Sequence, residues 1–202
     1  MSTVVLRGGI EVEDPLDLAL EFLAAYSSRE GHDSSGPASF DESDLRRANR
    51  GGARISAVEI GRILERRDEI EDALSTIRPG ASLAVANASV PWTSLTRLFE
   101  AFGDIRGVGF SKMTKALHPK RPALIPMLDS VIQTYLTADD PVADAAKSFG
   151  ERATALVRLY KRDLDRNRSV LHAVRRELAS RGYRLSEVRL LDVVIWSVFA
   201  PG

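Results

Sequence analysis

The sequence predicts an all-α fold, and three observations support this prediction. Apolar residues recur at three- and four-residue spacing through most of the chain, as at Ile60, Ile63 and Leu64. Residues that commonly cap helices precede several of these segments, and Gly or Pro often follows them. No segment shows a convincing alternation of apolar and polar residues, which a half-buried β-strand would require.

Each helix is predicted from its own start signal and apolar pattern. Pro15 opens a largely apolar helix that extends to Ser28. The Ser/Gly/Pro-rich segment 27–39 then predicts a mobile loop. Asp41 is expected to cap a short helix that ends near Gly51, because an aspartate oxygen can accept from the free amides of a first turn.

The middle of the chain predicts two further helices. Ser56 and Glu59 have the spacing of a capping box, and an apolar pattern follows until Pro79-Gly80 ends the helix. Residues 82–90 are the weakest stretch for a helix. Thr93 or Ser94 opens the next helix, which closes at Gly103-Asp104.

The last third of the chain predicts helices with clear starts. Asp129 caps a helix that runs to about Leu136, and Asp140-Pro141 has the cap-then-proline pattern of another start. Residues 151–181 form one long helix or two helices broken near Asn167. Ser186 begins a final helix whose apolar residues face inward.

Composition narrows the function classes. The 202-residue chain has no cysteine, so disulfides, thiolate metal sites and cysteine-held iron–sulfur clusters are excluded. No apolar run approaches the roughly 20 residues of a membrane span. The N-terminus lacks the pattern of a signal peptide, and a cytoplasmic location is therefore expected.

Charge is unevenly distributed although the formal net charge is zero. Residues 1–50 contain ten acids and five bases, whereas residues 151–184 contain ten bases and four acids. Residues 105–128 carry five bases and no acid. A local basic field of this kind is what phosphate binding requires, and a solvated helical surface is the alternative interpretation.

The sequence Ile105-Arg-Gly-Val-Gly109 is the most informative motif. Two glycines around a hydrophobic residue permit a very tight turn between two helices and let a phosphate approach the backbone closely. Free amides at the start of the second helix can then bind a phosphate oxygen. Asp129 follows Gly109 by 20 positions, at the start of a helix whose dipole favours a carboxylate.

This arrangement resembles the helix-hairpin-helix DNA glycosylases, the superfamily of endonuclease III and the adenine glycosylases. The resemblance covers roughly residues 92–136, and the segment from Lys120 to Val131 also resembles an uncharacterised bacterial family that shares this core. It implies two helical lobes, with residues 55–136 forming the hairpin lobe and residues 1–54 and 137–202 forming the other. The cleft between the lobes would then carry Asp129 on its wall.

The resemblance also implies a partner and a reaction. Asp129 would stabilise the cationic sugar that forms when the bond between base and sugar breaks. Ser111 stands where bifunctional members carry a Schiff-base lysine, so a monofunctional enzyme is expected. Duplex DNA would be held through its backbone, with a monovalent cation at the hairpin as the one cofactor that the resemblance allows. The residues expected at DNA are Arg106, Gly107, Val108, Gly109, Ser111, Lys112, Lys115, His118, Lys120 and Arg121.

Other interpretations remain open at the level of sequence. Asp129 could serve only as a helix cap, which leaves a DNA-binding protein without chemistry or a helical interaction module. Asp192, inside an apolar helix, is a second-choice carboxylate that could pair with Arg189. Aromatic side chains could stack on an extruded base, although most aromatic residues at helical spacing belong to the core; the candidates are Trp92, Trp196, Tyr26 and Tyr135. The oligomeric state is not indicated.

Overall fold

The computed structural model describes residues 3–26, 35–138 and 147–200, and these residues are mainly helical. This confirms the predicted helical character. The helix start expected at Asp140-Pro141 lies outside the described residues. The helices in the described part are α1 (Pro15–Tyr26), α2 (Glu42–Arg50), α3 (Ala57–Leu64), α4 (Arg67–Ser75), α5 (Trp92–Glu100), α6 (Phe110–Leu117), α7 (Ser130–Thr137), α8 (Phe149–Arg166), α9 (Arg168–Ser180) and α10 (Glu187–Phe199).

Three of the predicted helix caps are present at α2, α3 and α7. The side chain of Asp41 accepts a hydrogen bond from the amide of Ser43 at the start of α2. Ser56 and Glu59 form a reciprocal capping box at α3. Asp129 accepts from the amide of Ile132 at 3.0 Å and caps α7. These bonds satisfy amides that a helix start leaves without intrahelical partners.

One of the predicted helices divides differently from expectation. The helix expected from residue 57 to residue 77 is two helices, because the backbone leaves helical geometry at Arg66 (φ −100°, ψ 12°). The 151–181 segment is broken at Asn167, as one of the two predictions had it. Helix α5 begins at Trp92, one or two residues before the start predicted at Thr93 or Ser94, and its N-cap residue, Pro91, makes no side-chain cap bond.

The expectation that the chain lacks strands was wrong at the N-terminus. Strands β1 (Thr3–Val5) and β2 (Glu11–Glu13) pair antiparallel. The side chain of Asn167 extends this ladder, accepting from the amide of Val5 at 2.7 Å and donating to its carbonyl at 2.9 Å. Strands of three residues are too short for an alternating pattern to identify them in a sequence.

The helices pack around a continuous apolar core. Helix α2 packs on α3 and α6, and α4 packs on α5. Helix α10 contacts α1, α7, α8 and α9. Helix α5 packs against α8 and so joins α4 and α5 to this set. One cluster of buried apolar side chains includes residues from every one of these helices. The division into lobes at residues 54 and 136 stays a prediction.

Candidate active site

The glycine motif forms an exposed turn between α5 and α6. Gly107 has φ of +89°, a backbone conformation that residues with a Cβ rarely adopt. Ile105 and Val108 are buried and anchor the turn, whereas Arg106, Gly107 and Gly109 are exposed. Gly109 is the N-cap residue of α6, and a Cβ added there would meet no atom within 4 Å. The turn therefore exposes backbone to solvent at Gly109.

A carboxylate from α3 packs against this turn. A Cβ on Gly107 would overlap the side-chain oxygen of Glu59. The same carboxylate accepts from Lys112 Nζ at 2.7 and 2.8 Å. Burial raises the pKa of Glu59, but hydrogen bonds from Lys112 and from Ser56 outweigh it and hold that pKa below its usual value. Lys112, predicted to contact DNA, is thus already paired with an internal anion.

An open cleft of about 350 Å³ lies between α2, α6, α7 and α10. Its volume falls in the range of small-molecule sites, which is roughly 300–1,000 Å³. Asp129, half-buried at the start of α7, forms part of its wall, and Lys115 reaches it from α6. The side chain of Asp129 keeps one hydrogen bond, from Ile132, so the carboxylate is fixed in orientation while it lines the cleft.

Basic side chains outnumber acidic ones on the cleft wall. They come from separate parts of the chain, and they are Arg47, Lys115, Arg184 and Arg189, opposed by Asp129 and Asp192. Lys115 Nζ donates to the carbonyl of Gly52 at 3.3 Å, and the guanidinium of Arg189 lies 4.8 Å from the ring of Phe22. Such a cleft favours an anionic ligand by its electrostatic field.

Three predicted DNA contacts lie elsewhere than expected. His118 borders the cleft but is buried, and its Nδ1 lies 2.7 Å from the carbonyl oxygen of Ile125. Burial lowers the pKa of His118 to about 4, helped by the positive charges of Arg189 and Arg47. A neutral imidazole with one nitrogen hydrogen-bonded to a carbonyl is a poor phosphate ligand, and the contact of His118 with DNA stays a prediction.

Lys120 and Arg121 are also withdrawn from solvent. Lys120 Nζ is 2.7 Å from Asp44 and donates to the Ser35 hydroxyl at 2.6 Å. Arg121 donates to the carbonyls of Pro37 and of Ile77, and burial lowers its pKa. Both side chains are thus engaged within the protein, and their predicted contacts with phosphate stay predictions. The same hydrogen bonds hold residues 35–37, which belong to the 27–39 segment predicted to be a mobile loop.

The Schiff-base position is not part of the cleft. Ser111 is half-buried in α6 and lies outside the cleft lining, whereas Lys115, one turn later, lies within it. Ser111 and Lys115 lie on the same face of α6. Ser111 is a full turn nearer the start of the helix, however, and this places it beyond the cleft lining.

The structure adds one strong candidate, which the sequence ranked second. Asp192 is 3% exposed and lines the same cleft as Asp129. Trp196, one turn further along α10, is 41% exposed and lines it too. In the sequence, Asp192 stands among the apolar residues of a predicted helix. This pattern indicated a candidate site residue, because ionisable side chains in apolar surroundings are often functional. No sequence pattern indicates that α10 faces α7.

Among residues 3–26, 35–138 and 147–200, no group of three or more His, Cys, Asp or Glu side chains is arranged to hold a metal ion. In the same part of the chain, no helix combines the length and the apolar character needed to cross a membrane.

Comparison with known proteins places the chain in a family. No curated protein and no solved structure gives a significant match. One family, described as a family of unknown function (DUF6308), matches residues 24–198. Since this match covers most of the 202 residues, the chain belongs to the DUF6308 family of unknown function.

Proposed function

We propose that the protein binds duplex DNA through its glycine turn and hydrolyses the N-glycosidic bond of a modified or mispaired base in the adjacent cleft. The observation that carries this proposal is the position of Asp129, which stands at a helix start on the wall of a basic cleft. Helix α6 links the two parts, because it begins at the turn and contributes Lys115 to the cleft.

The turn offers a suitable surface for a phosphate. Gly107 and Gly109 are exposed, and the space beside Gly109 is empty within 4 Å of a Cβ position. Amides at the start of α6 supply donors, and Arg106 supplies an exposed positive charge. Contacts of this kind hold the backbone without reading base sequence, so weak and salt-sensitive binding is expected.

The cleft offers a carboxylate for the chemical step. Cleavage of the N-glycosidic bond develops positive charge on the sugar, which the carboxylate of Asp129 would stabilise while it orients a water molecule. The product would be a free base and an abasic site in an intact strand. Ser111 cannot form a Schiff base, which agrees with a monofunctional reaction.

The binding step is tested by fluorescence anisotropy of a labelled duplex at several salt concentrations. Gly109→Ala should fold normally, because its Cβ meets nothing within 4 Å, yet it should weaken binding about tenfold by blocking the close approach of a phosphate. Gly80→Ala, at another open and exposed position, is the matched control. Equal affinities of the two variants, or no binding by the unaltered protein at low salt, would contradict the proposal.

The chemical step is tested with duplexes that carry alkylated, deaminated and oxidised bases. Asp129→Asn should abolish base release while duplex binding changes little, and asparagine keeps the helix cap, so stability should hold. Asp41→Asn alters a matched cap at α2, away from the cleft lining, and should release base normally. Base release that survives Asp129→Asn would remove Asp129 from the mechanism, whereas binding without any release would leave a non-catalytic DNA-binding protein.

A further inference from the structure

Cations on the cleft wall lack the anionic partners that such side chains usually have when they are drawn away from water. Arg47 of α2 is half-buried, and among residues 3–26, 35–138 and 147–200 its guanidinium has no hydrogen-bond or ion-pair partner. Lys115 of α6 is also half-buried, and in this part of the chain its Nζ makes one long hydrogen bond, at 3.3 Å, to the carbonyl of Gly52. A charge withdrawn from water without a counter-ion does not help the fold, so these side chains call for another role.

The third cation is Arg189, near the start of α10. Its Nη1 lies 3.9 Å from Asp192 Oδ2, beyond hydrogen-bond distance, and donates to the sulfur of Met127, a weak acceptor, at 3.4 Å. The Phe22 ring, 4.8 Å from the guanidinium, orients the side chain without neutralising its charge. Arg189 therefore keeps donors for a ligand in the cleft.

The three cations converge on one region of the cleft. Burial lowers the pKa of His118, and the positive charges of Arg189 and Arg47 lower it further, so both guanidiniums lie near this ring. Lys115 precedes His118 by three residues, about one turn of α6. Burial raises the pKa of Asp192 to about 7, so at neutral pH this carboxyl is partly protonated and offsets little of the positive charge.

An exposed aromatic ring lies further along the same wall. Trp196 is 41% exposed and lines the cleft. It follows Arg189 by seven residues, so the two lie on one face of α10, about 10 Å apart along its axis. An indole face in this position can stack on a flat heteroaromatic ring. The cleft, of about 350 Å³, has room for a single small ligand that joins such a ring to an anion.

We propose that this cleft is a binding site for a free nucleoside 5′-monophosphate. Its phosphate contacts Arg47, Lys115 and Arg189, and its base stacks on Trp196. A guanidinium suits this role because its fork of donors can bind two phosphate oxygens at once. A phosphate monoester carries about 1.5–2 negative charges at pH 7, whereas each phosphate within a DNA strand carries one, so a cluster of three cations favours the monoester. The site goes beyond the reaction proposed for Asp129 and does not depend on it.

Isothermal titration calorimetry of the full chain tests the site with adenosine and uridine 5′-monophosphates. The two nucleosides and inorganic phosphate are the comparison probes, each lacking one half of the ligand. At least one nucleotide should bind about tenfold more tightly than its nucleoside and than phosphate, because each half adds its own contacts. A nucleoside, or phosphate, that binds as tightly as both nucleotides would overturn the assignment.

Arg47→Ala and Trp196→Leu separate the two halves of the ligand. Arg47→Ala should lower affinity for the nucleotide about tenfold and leave affinity for the nucleoside unchanged. Trp196→Leu should weaken nucleotide and nucleoside alike by about tenfold and leave phosphate binding unchanged. Arg46→Ala, an exposed position outside the cleft lining, is the matched control and should bind like the unaltered protein. Equal nucleotide affinities of Arg47→Ala and Arg46→Ala would refute the site.

Thermal melting checks that the variants are folded. Since the Arg47 side chain has no partner within the described residues, Arg47→Ala should melt no lower than Arg46→Ala. If Arg47→Ala fails to fold, Lys115→Gln replaces it, because the Lys115 side chain gives up one long bond to a carbonyl and should show the same tenfold loss, of about that size, for the nucleotide.

Nucleotide binding and duplex binding can fail independently. Nucleotide binding that needs Arg47, in a protein that binds no duplex, supports this site and refutes the DNA function. Base release from duplexes by a protein that binds no nucleotide refutes this site and supports the DNA function. Where both hold, the nucleotide should inhibit base release competitively, because it occupies the cleft that Asp129 lines. Base release that continues unchanged at saturating nucleotide would overturn the assignment.

Discussion

Arg121 should be one of the largest single contributors to stability. Its guanidinium donates to the carbonyls of Ile77 (3.1 and 2.6 Å), Leu74 (2.8 Å), Pro37 (2.7 Å) and Lys120 (2.7 Å). Leu74 lies in the last turn of α4 and Ile77 two residues beyond its end, so Arg121 adds donors where the intrahelical bonds of α4 run out. Arg121→Met keeps much of the side-chain volume but removes five hydrogen bonds to four carbonyls, three of which belong to buried residues.

The expected loss follows from these bonds. Hydrogen bonds from a charged donor contribute about 1.5–3 kcal/mol each, and the relief of the buried charge offsets part of their sum. A net loss of about 3–4 kcal/mol is therefore expected, which lowers the melting temperature of a chain of this size by about 10 °C. Urea unfolding followed by circular dichroism measures this loss.

Arg46, which pairs with Glu42 on the surface of α2, provides the control for Arg121. Arg46→Met removes an exposed pair with Glu42 on the surface of α2 and should cost less than about 1 kcal/mol. If Arg121→Met costs no more than Arg46→Met, the buried network does not support the fold. If Arg121→Met is stable but loses affinity for duplex DNA, Arg121 contacts phosphate after all.

Three other changes have expected outcomes. The pKa of His118 is about 4 in the folded protein and 6.5 ordinarily, so the unfolded state takes up the proton first as pH falls. About 3 kcal/mol of stability is therefore lost between pH 6.5 and pH 4. His118→Gln should flatten that loss in urea titrations at several pH values. Glu59→Gln should raise duplex affinity several-fold in anisotropy titrations, because it frees Lys112 and removes an anion from the turn, and an unchanged affinity would contradict this. Gly107→Ala should cost about 1–2 kcal/mol in urea unfolding from its positive φ, whereas Gly109→Ala should cost little.

The local features of the fold could be predicted from sequence because they depend on nearby residues. The caps at Asp41, Ser56, Asp129 and Ser186 each need only a side-chain oxygen and an amide two or three residues later. The break at Asn167 has a local cause and a distant one, since its side chain binds the backbone of Val5. The sequence of residues 151–181 indicates a break near Asn167, but it does not show that the Asn167 side chain binds Val5.

Features that depend on distant partners could not be predicted. Arg7, in the turn between the two strands, donates to Asp163 at 2.8 Å and to the carbonyl of Leu159 at 3.0 Å, which ties the N-terminal hairpin to α8. Lys120 and Arg121 read as surface bases in the sequence, because nothing near them in the chain shows that residues 35–37 and the end of α4 will enclose them. Burial of a charge is decided by tertiary packing, and a basic segment alone does not distinguish a ligand surface from an internal network.

The cleft shows how these two levels combine. Asp129 could be predicted because its cap role and its spacing from the turn are both local, whereas its partner Asp192 lies 63 positions later and reaches the cleft only through the packing of α10 on α7. The half-buried carboxyl keeps a helix start as its neighbour, and the fully buried one keeps an oxygen without a partner. Two carboxyls in one basic cleft thus stand in different environments, one half-buried and one buried. Local sequence therefore identifies the first carboxyl, and only tertiary packing brings the second into the same cleft.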